Sequence, residues 1–267
     1  QESIELQITL TDNEGLNGYA ITESSEEPME WISIEGKETS IKYTLTENTT
    51  YYIWVKDRVG NINYQMYSTD TIDTQAPQVE ITNTLTDWGE KDTIIIKATD
   101  DVIGISGMSI SRTEGTYNWE TIENTLSYET EKEVSENGTY YISVRDGYGH
   151  ITTKSIVIDK IDTMLPTIEN LQTSTDWGTT NTITGSLKDN ESGLRGYQIT
   201  KEKVEPKEYI EISGTSFEVN YEVGENGSYY IWVKDKVGNV YQTEIEVNKV
   251  DSTAPVLSSI TNSSNGS

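Results

Sequence analysis

The sequence predicts an all-β protein, a tandem array of three antiparallel β-sandwich repeats of 89 residues. An internal repeat is the first of three observations: residues 51–61 read YYIWVKDRVGN, residues 229–239 read YYIWVKDKVGN, and residues 140–150 form a weaker copy. The second observation is an abundance of Thr, Ile, Val and Tyr, which suits half-buried strands. The third is that apolar and polar residues alternate, whereas no segment shows a helical period.

Three kinds of residue mark the same period. Glycines, aspartates and prolines recur at intervals of 89 residues, at Gly60, Gly149 and Gly238, at Asp73, Asp162 and Asp251, and at Pro77, Pro166 and Pro255. The markers predict repeats at residues 1–73, 74–162 and 163–251, and residues 252–267 are then the first strand of a further repeat or a donor strand. Proline restricts its own φ and that of the residue before it, so the joints are expected to be short and extended.

The third repeat shows how one unit is built. Turn-forming residues separate short segments in which apolar and polar residues alternate, as at Phe217, Val219, Tyr221 and Val223. The predicted strands are residues 167–172, 182–187, 194–200, 209–212, 216–223, 228–234 and 240–248. Seven short strands at this spacing predict an immunoglobulin-like sandwich of two sheets.

A tyrosine lies just inside the sixth strand of each repeat, at Tyr51, Tyr140 and Tyr229. In the second and third repeats it follows an Asn-Gly corner, which matches the tyrosine corner of such sandwiches, where the phenol bonds to the backbone upstream. We therefore interpret these tyrosines, and the glycines Gly60, Gly149 and Gly238 of the next turn, as structural residues.

The pattern Asn-Gly-x-Tyr-Tyr-Ile-x-Val-x-Asp-x-x-Gly-Asn, followed about a dozen residues later by Asp-Thr/Ser-x-x-Pro, covers nearly the whole chain. It resembles the bacterial Ig-like repeats of Gram-positive surface and secreted proteins. The resemblance implies an extracellular or cell-surface location and a role as a stalk, a spacer or an adhesin module, in some cases attached to an enzyme.

The two ends of the chain are complementary in sequence. The first repeat begins at Ile4, which aligns with the second strand of the later repeats, and residues 256–261 align with their first strand. One interpretation is a window cut from a longer periodic array. The other is donor-strand exchange, in which Val256, Leu257 and Ile260 of one molecule fill the first repeat of the next and give head-to-tail self-association.

Composition excludes several functions. The net charge of -26 argues against nucleic acid and anionic membranes as partners, and no apolar run is long enough to insert into a membrane. The chain has no cysteine and one histidine, His150, which we interpret as a solvated residue at a loop tip. No nucleophilic triad, zinc-ligand set or phosphate loop is present in the sequence, so we expect no enzymatic activity and no required cofactor.

Calcium is the best candidate ligand. In an immunoglobulin-like sandwich, the linker entering a repeat meets the loops after the second and sixth strands, where acidic residues concentrate. The candidate ligands are Asp73, Asp100, Asp101 and Asp146 in the second repeat, and Asp162, Asp189, Asn190, Glu191 and Asp235 in the third. The alternative is that these Asp, Asn and Gly residues only form turns.

Outward-facing aromatic residues are a second candidate site. If Tyr51 and Ile53 face inward, alternation directs Tyr52 and Trp54 outward, and Tyr230 and Trp232 repeat this arrangement. Such a stripe predicts binding of a glycan or a host protein, and the alternative is cross-strand packing that covers the sheet. Trp88 and Trp177 recur at the first turn, and we interpret them as anchors of that turn.

The expected function is a structural stalk, spacer or fibre segment. An adhesin module and an accessory part of a secreted hydrolase are the competing hypotheses.

Overall fold

The computed structural model describes residues 1–261 and contains only strands, turns and loops within them. The first repeat comprises β1 (Ile4–Thr11), β2 (Leu16–Thr22), β3 (Ile32–Ser33), β4 (Glu38–Leu45), β5 (Thr50–Asp57) and β6 (Ile62–Ser68). The second comprises β7 (Gln78–Asn83), β8 (Asp92–Thr99), β9 (Ile105–Ser111), β10 (Glu120–Thr125), β11 (Ser127–Val134), β12 (Gly138–Asp146) and β13 (Ile151–Ile158). The third comprises β14 (Thr167–Thr173), β15 (Asn181–Lys188), β16 (Leu194–Thr200), β17 (Ile210–Glu211), β18 (Ser216–Val223), β19 (Gly227–Asp235) and β20 (Val240–Val247).

The third repeat confirms the predicted architecture, and each of its strands begins and ends within one residue of the prediction. One sheet has the order β14-β15-β18 and the other has the order β17-β16-β19-β20, with every pair antiparallel. Inward-facing side chains of both sheets form one core, and Ile183, Leu187, Leu194 and Ile231 are fully buried in it. Alternation along each strand therefore assigns one face to the core and the other to solvent.

The second repeat has the same arrangement, with sheets in the order β11-β8-β7 and β10-β9-β12-β13. The first repeat differs in one sheet. Its four-stranded sheet has the order β3-β2-β5-β6, but the other sheet contains only β1 and β4. No strand within residues 1–261 pairs with the outer edge of β1, where β7 and β14 lie in the later repeats. Three tandem two-sheet sandwiches therefore account for all the described strands.

The chain forms two compact units. Of the described residues, unit 1 contains 1–83, 93–132 and 138–157, and unit 2 contains 84–92, 133–137 and 158–261. The division runs through the second repeat, so the linker that leaves this repeat belongs to the same unit as the third repeat. The repeat boundaries at residues 73, 162 and 251 remain sequence predictions.

Residues 251–261 have no regular structure, and Val256, Leu257 and Ile260 are exposed. Part of the predicted donor segment, residues 262–267, lies outside the described residues. No helix in the described part of the chain could cross a membrane.

Candidate functional site at the repeat junctions

The linker that follows the second repeat is fixed by an asparagine side chain. The amide of Asn137 donates to the carbonyl of Ile161 at 2.7 Å and accepts from the Ile161 N–H at 2.8 Å. On its other side the linker forms a parallel bridge with Gly89, whose N–H donates to Lys160 at 3.0 Å and whose carbonyl accepts from Asp162 at 2.9 Å. The backbone that leads into Asp162 therefore has little freedom to rotate.

The same asparagine clamp occurs in every repeat. Asn48 makes the paired bonds to Ile72, and Asn226 makes them to Val250, all at 2.7–2.9 Å. The sequence shows Asn137 and Asn226 only as parts of Asn-Gly corners, and that motif does not reveal the clamp. The available signal was an asparagine located 24 residues before an apolar-Asp pair in each repeat.

On the side of the third repeat, Asp162 is held by the next domain. Its Oδ2 accepts from the N–H of Ser192 at 3.0 Å and its Oδ1 accepts from the N–H of Met164 at 2.9 Å. The side-chain amide of Asn239 also donates to the Asp162 carbonyl, at 3.3 Å. Asp162 is fully buried as a result.

Two loops of the third repeat each supply a buried aspartate next to Asp162. Asp189 follows β15, and its Oδ1 accepts from the N–H of Gly193, whose φ of 86° favours glycine. Asp235 ends β19, and its Oδ1 accepts from the N–H groups of Gly238 and Asn239 at 2.6 and 2.8 Å. The Asn239 amide donates to Asp235 Oδ2 at 2.7 Å, so neighbouring donors fix the position of each carboxylate.

The three carboxylates converge. One oxygen each from Asp162, Asp189 and Asp235 lies within 4.8 Å of the others, and the three residues are 0–5% exposed. Burial raises the pKa of the Asp189 carboxyl against the hydrogen bond from Gly193, and the charges of Asp162 and Asp235 raise it further. Among residues 1–261, no lysine, arginine or histidine lies within ion-pair distance of the three.

The first junction has a related but different cluster. Asp73, Asp146 and His150 offer atoms within 4.8 Å of one another, and the His150 ring nitrogen Nδ1 lies 2.5 Å from Asp146 Oδ2. The interpretation of His150 as a solvated loop residue is therefore wrong, since its side chain is only 21% exposed. Asp100, the equivalent of Asp189, is 8% exposed but does not belong to this cluster.

Other predicted calcium ligands lie outside both clusters. Asp101, Asn190 and Glu191 are exposed on the loops after β8 and β15, and neither Asp101 nor Glu191 belongs to a group of converging acidic or histidine side chains in the described chain. The sequence could not distinguish them from their neighbours, because the inward direction within each loop depends on backbone conformation.

The predicted aromatic stripe is largely covered. Trp54 is 5% exposed, donates to Thr22 Oγ1 at 3.0 Å and packs against Tyr64 with ring centroids 4.5 Å apart. Trp232 makes the equivalent bond to Thr200 at 3.1 Å, and it is half-buried, as are Tyr52 and Tyr230. Cross-strand packing, the alternative considered above, thus describes this face better than an exposed binding stripe.

Trp177 is not the expected turn anchor, because 68% of it is exposed.

The tyrosine-corner bond that the sequence predicts is present in the first and third repeats. The hydroxyls of Tyr51 and Tyr229 donate to the carbonyls of Glu47 and Glu225 at 3.1 and 2.9 Å. Tyr140 is also buried. The three repeating turn glycines all have positive φ, between 95° and 120°: Gly60, Gly149 and Gly238.

A cleft lies beside the free edge of β1 in the first repeat. It has a volume of about 490 Å³ and is lined by residues of β1, β5 and β6, including Leu6, Ile8, Ile53 and Val55. Two apolar side chains of β14, Ile168 and Leu171, pack against the core from the corresponding edge of the third repeat. The cleft is thus the place where a first strand would lie.

No protein-family model and no curated protein matches the chain. Among solved structures, it is similar to trypsin-activated alpha-2-macroglobulin from Escherichia coli, with 12% identity and a TM-score of 0.20. The similarity covers 91% of this chain and 22% of that one. A likeness at this level carries no argument about function.

Proposed function

We propose that this chain is a non-enzymatic spacer of an extracellular bacterial protein, whose function depends on restrained joints between successive sandwiches. The second junction is the observation that supports it. Its linker is clamped by Asn137 and Gly89 of one repeat and by Ser192 and Asn239 of the next, within one compact unit. A flexible linker between independent domains has few contacts across it, so this joint is of the opposite kind.

The energies suit a restrained joint. Each backbone or amide hydrogen bond contributes about 0.5–1.5 kcal/mol net, so the clamp and the flanking bonds together oppose bending by several kcal/mol. The negative charge of -26 keeps such molecules dispersed and favours projection of a terminal domain rather than collapse onto an anionic surface.

Distance measurement tests the spacer. Since the chain has no cysteine, spin labels at Glu90→Cys and Glu222→Cys, both exposed and within unit 2, report the separation of this part of the second repeat from the third repeat without competing sites. We expect one narrow distance distribution by pulsed electron paramagnetic resonance. Asn137→Ala is expected to broaden it, because both bonds to Ile161 are lost.

The matched control is Asn190→Ala, which removes an exposed asparagine and is expected to leave the distribution unchanged. A distribution in the unmodified protein as broad as that of a flexible tether would contradict the spacer proposal.

Strand donation is a second candidate function, supported by the cleft beside β1. Residues 256–261 align with β14 at the 89-residue period, which places Leu257 and Ile260 at the positions of Ile168 and Leu171. The segment is exposed and has the apolar residues that the cleft would cover. A second copy of this chain would then be the partner, joined by β-augmentation.

A further inference from the structure

We propose that the second junction binds one divalent cation of the calcium type, held by Asp162, Asp189 and Asp235. The site itself rests on geometry, whereas its effect, a stiffer joint, rests on the proposed spacer function. The three side chains come from the linker, the loop after β15 and the end of β19. An ion bound there would therefore join three separate parts of the chain.

Charge is the first argument. Three carboxylates that are 0–5% exposed approach within 4.8 Å, and the described chain supplies no cationic side chain at ion-pair distance. Burying a charge is costly unless it is paired or coordinates a metal. Hydrogen bonds from backbone N–H groups orient these carboxylates but leave their repulsion uncompensated. A divalent cation removes most of that repulsion.

Unpartnered buried polar atoms are the second argument. Ser192 is 2% exposed, and its N–H binds Asp162 Oδ2, yet its hydroxyl has no hydrogen-bond partner beside the cluster. At the first junction, Oδ2 of Asp73 and Oδ2 of Asp100 are likewise buried and without a partner. Buried polar groups in folded proteins are rarely left in this state. At the second junction the unpartnered hydroxyl adjoins three converging aspartates, whereas at the first junction Asp100 lies outside the converging group, so the second junction is the one that indicates a ligand position.

The donor set favours calcium over other metals. All the converging groups are oxygen donors of aspartate, which hard cations prefer, while zinc and copper prefer imidazole and thiolate ligands. Calcium tolerates irregular coordination and completes its shell with carbonyls and water, whereas magnesium requires near-octahedral geometry and gives up its water reluctantly.

The first junction provides an internal comparison. There an imidazole, His150, occupies the place of Asn239 and contacts the equivalent aspartate, so one carboxylate already has a basic partner. Asp100, the equivalent of Asp189, lies outside the converging group. The same substitution can therefore be made at Asp189, inside a converging group, and at Asp100, outside one.

Titration calorimetry of the full chain tests the site. After treatment with chelator, in about 0.15 M NaCl to screen diffuse attraction to the acidic surface, calcium is added and magnesium is compared. We expect one site per chain with a dissociation constant of about 0.1–1 mM, in the range of extracellular modules. At a free calcium concentration about ten times that constant, we expect the Tm to rise by about 5 °C.

Two variants locate the ion. Asp189→Asn is expected to weaken calcium binding at least tenfold, whereas the matched Asp100→Asn at the first junction leaves it unchanged. Should Asp189→Asn fail to fold, Asn239→His copies the residue found at the first junction and is expected to weaken binding by placing a basic group on Asp235.

No heat and no Tm shift with calcium would overturn the proposal, as would equal losses in Asp189→Asn and Asp100→Asn. The spacer proposal can be judged separately, because the spin-label distances are measured in chelator as well as in calcium. A narrow distribution in chelator without calcium binding would refute the metal site and leave the spacer in place.

Discussion

At the scale of single residues, one position in the turn after the sixth strand makes the same contact in each repeat, through an amide in two repeats and through an imidazole in the other. Asn61 and Asn239 donate through their amides to Asp57 and Asp235, both at 2.7 Å, and His150 lies 2.5 Å from Asp146 through a ring nitrogen. The amide is neutral at every pH, whereas the imidazole gains a charge on protonation. The first junction is therefore the one at which stability responds to pH near neutrality.

The pKa of His150 should lie above its usual value of about 6.5. The hydrogen bond to Asp146 raises this pKa most, burial opposes it, and the charge of Asp146 adds to the increase. Because the folded-state pKa is the higher one, its stabilising contribution is complete below pH ~6.5 and is lost as the pH rises through the folded pKa.

As His150 is the only histidine, its ring signals can be followed by NMR without ambiguity. We expect His150→Asn to melt below the unmodified protein at pH 5 and to approach it at pH 9. A titration midpoint at or below the usual histidine value would contradict this expectation.

At the scale of elements, a tyrosine hydroxyl bonds to the corner before its strand in the first and third repeats, and an asparagine amide in every repeat binds the chain after the last strand. Tyr229, at 6% exposure, bonds to Glu225 ahead of β19, and Asn226 in the same corner bonds to Val250 after β20. One corner thus fixes both the entry into β19 and the exit from β20.

Removing the hydroxyl tests the importance of this corner. Tyr229→Phe deletes the 2.9 Å bond from a buried tyrosine to the Glu225 carbonyl, so we expect a loss of about 0.5–1.5 kcal/mol in the free energy of unfolding. Tyr241→Phe, at a tyrosine that is 36% exposed, is the control and should cost less than about 0.5 kcal/mol. Denaturant titration measures both, and equal losses would show that the corner bond contributes nothing specific.

At the scale of the whole molecule, charge and the open edge of β1 act against each other. A net charge of -26 repels identical molecules, while an unpaired strand edge beside a cleft that is partly lined by apolar side chains attracts a complementary segment. Surface ion pairs do not change this balance, because pairs such as Lys42–Glu5 and Lys91–Glu133 are more than half exposed and are worth at most about 1 kcal/mol each.

Self-association by strand donation should therefore depend on both protein and salt concentration. In about 0.15 M NaCl, where repulsion is screened beyond about 8 Å, sedimentation velocity is expected to show oligomers that grow with protein concentration. Leu257→Asp should abolish them, because it places a charge where Ile168 packs in the third repeat.

Ser258→Asp adds the same charge at the position of Glu169, which is exposed, and should leave association nearly unchanged. A monomer at every protein concentration would rule out strand donation.

The sequence alone determined the repeat and its strands. An 89-residue period, alternating side chains and turn residues predicted the two-sheet units to within one residue at each strand of the third repeat, because strand periodicity and turn chemistry are local properties. The convergence of acidic residues at the junction was also predicted, since connection order fixes which loops share an end of a sandwich.

Tertiary structure alone decided which members of each acidic loop face inward. Asp189 is buried beside Asp162 while Asn190 and Glu191 are exposed, because the backbone around Gly193 turns one side chain in and its neighbours out. It also decided that Trp54 is covered and that Asn137 clamps the linker, since both depend on contacts between residues far apart in sequence. Periodicity reports the face of a strand, but packing and long-range hydrogen bonds determine what covers that face.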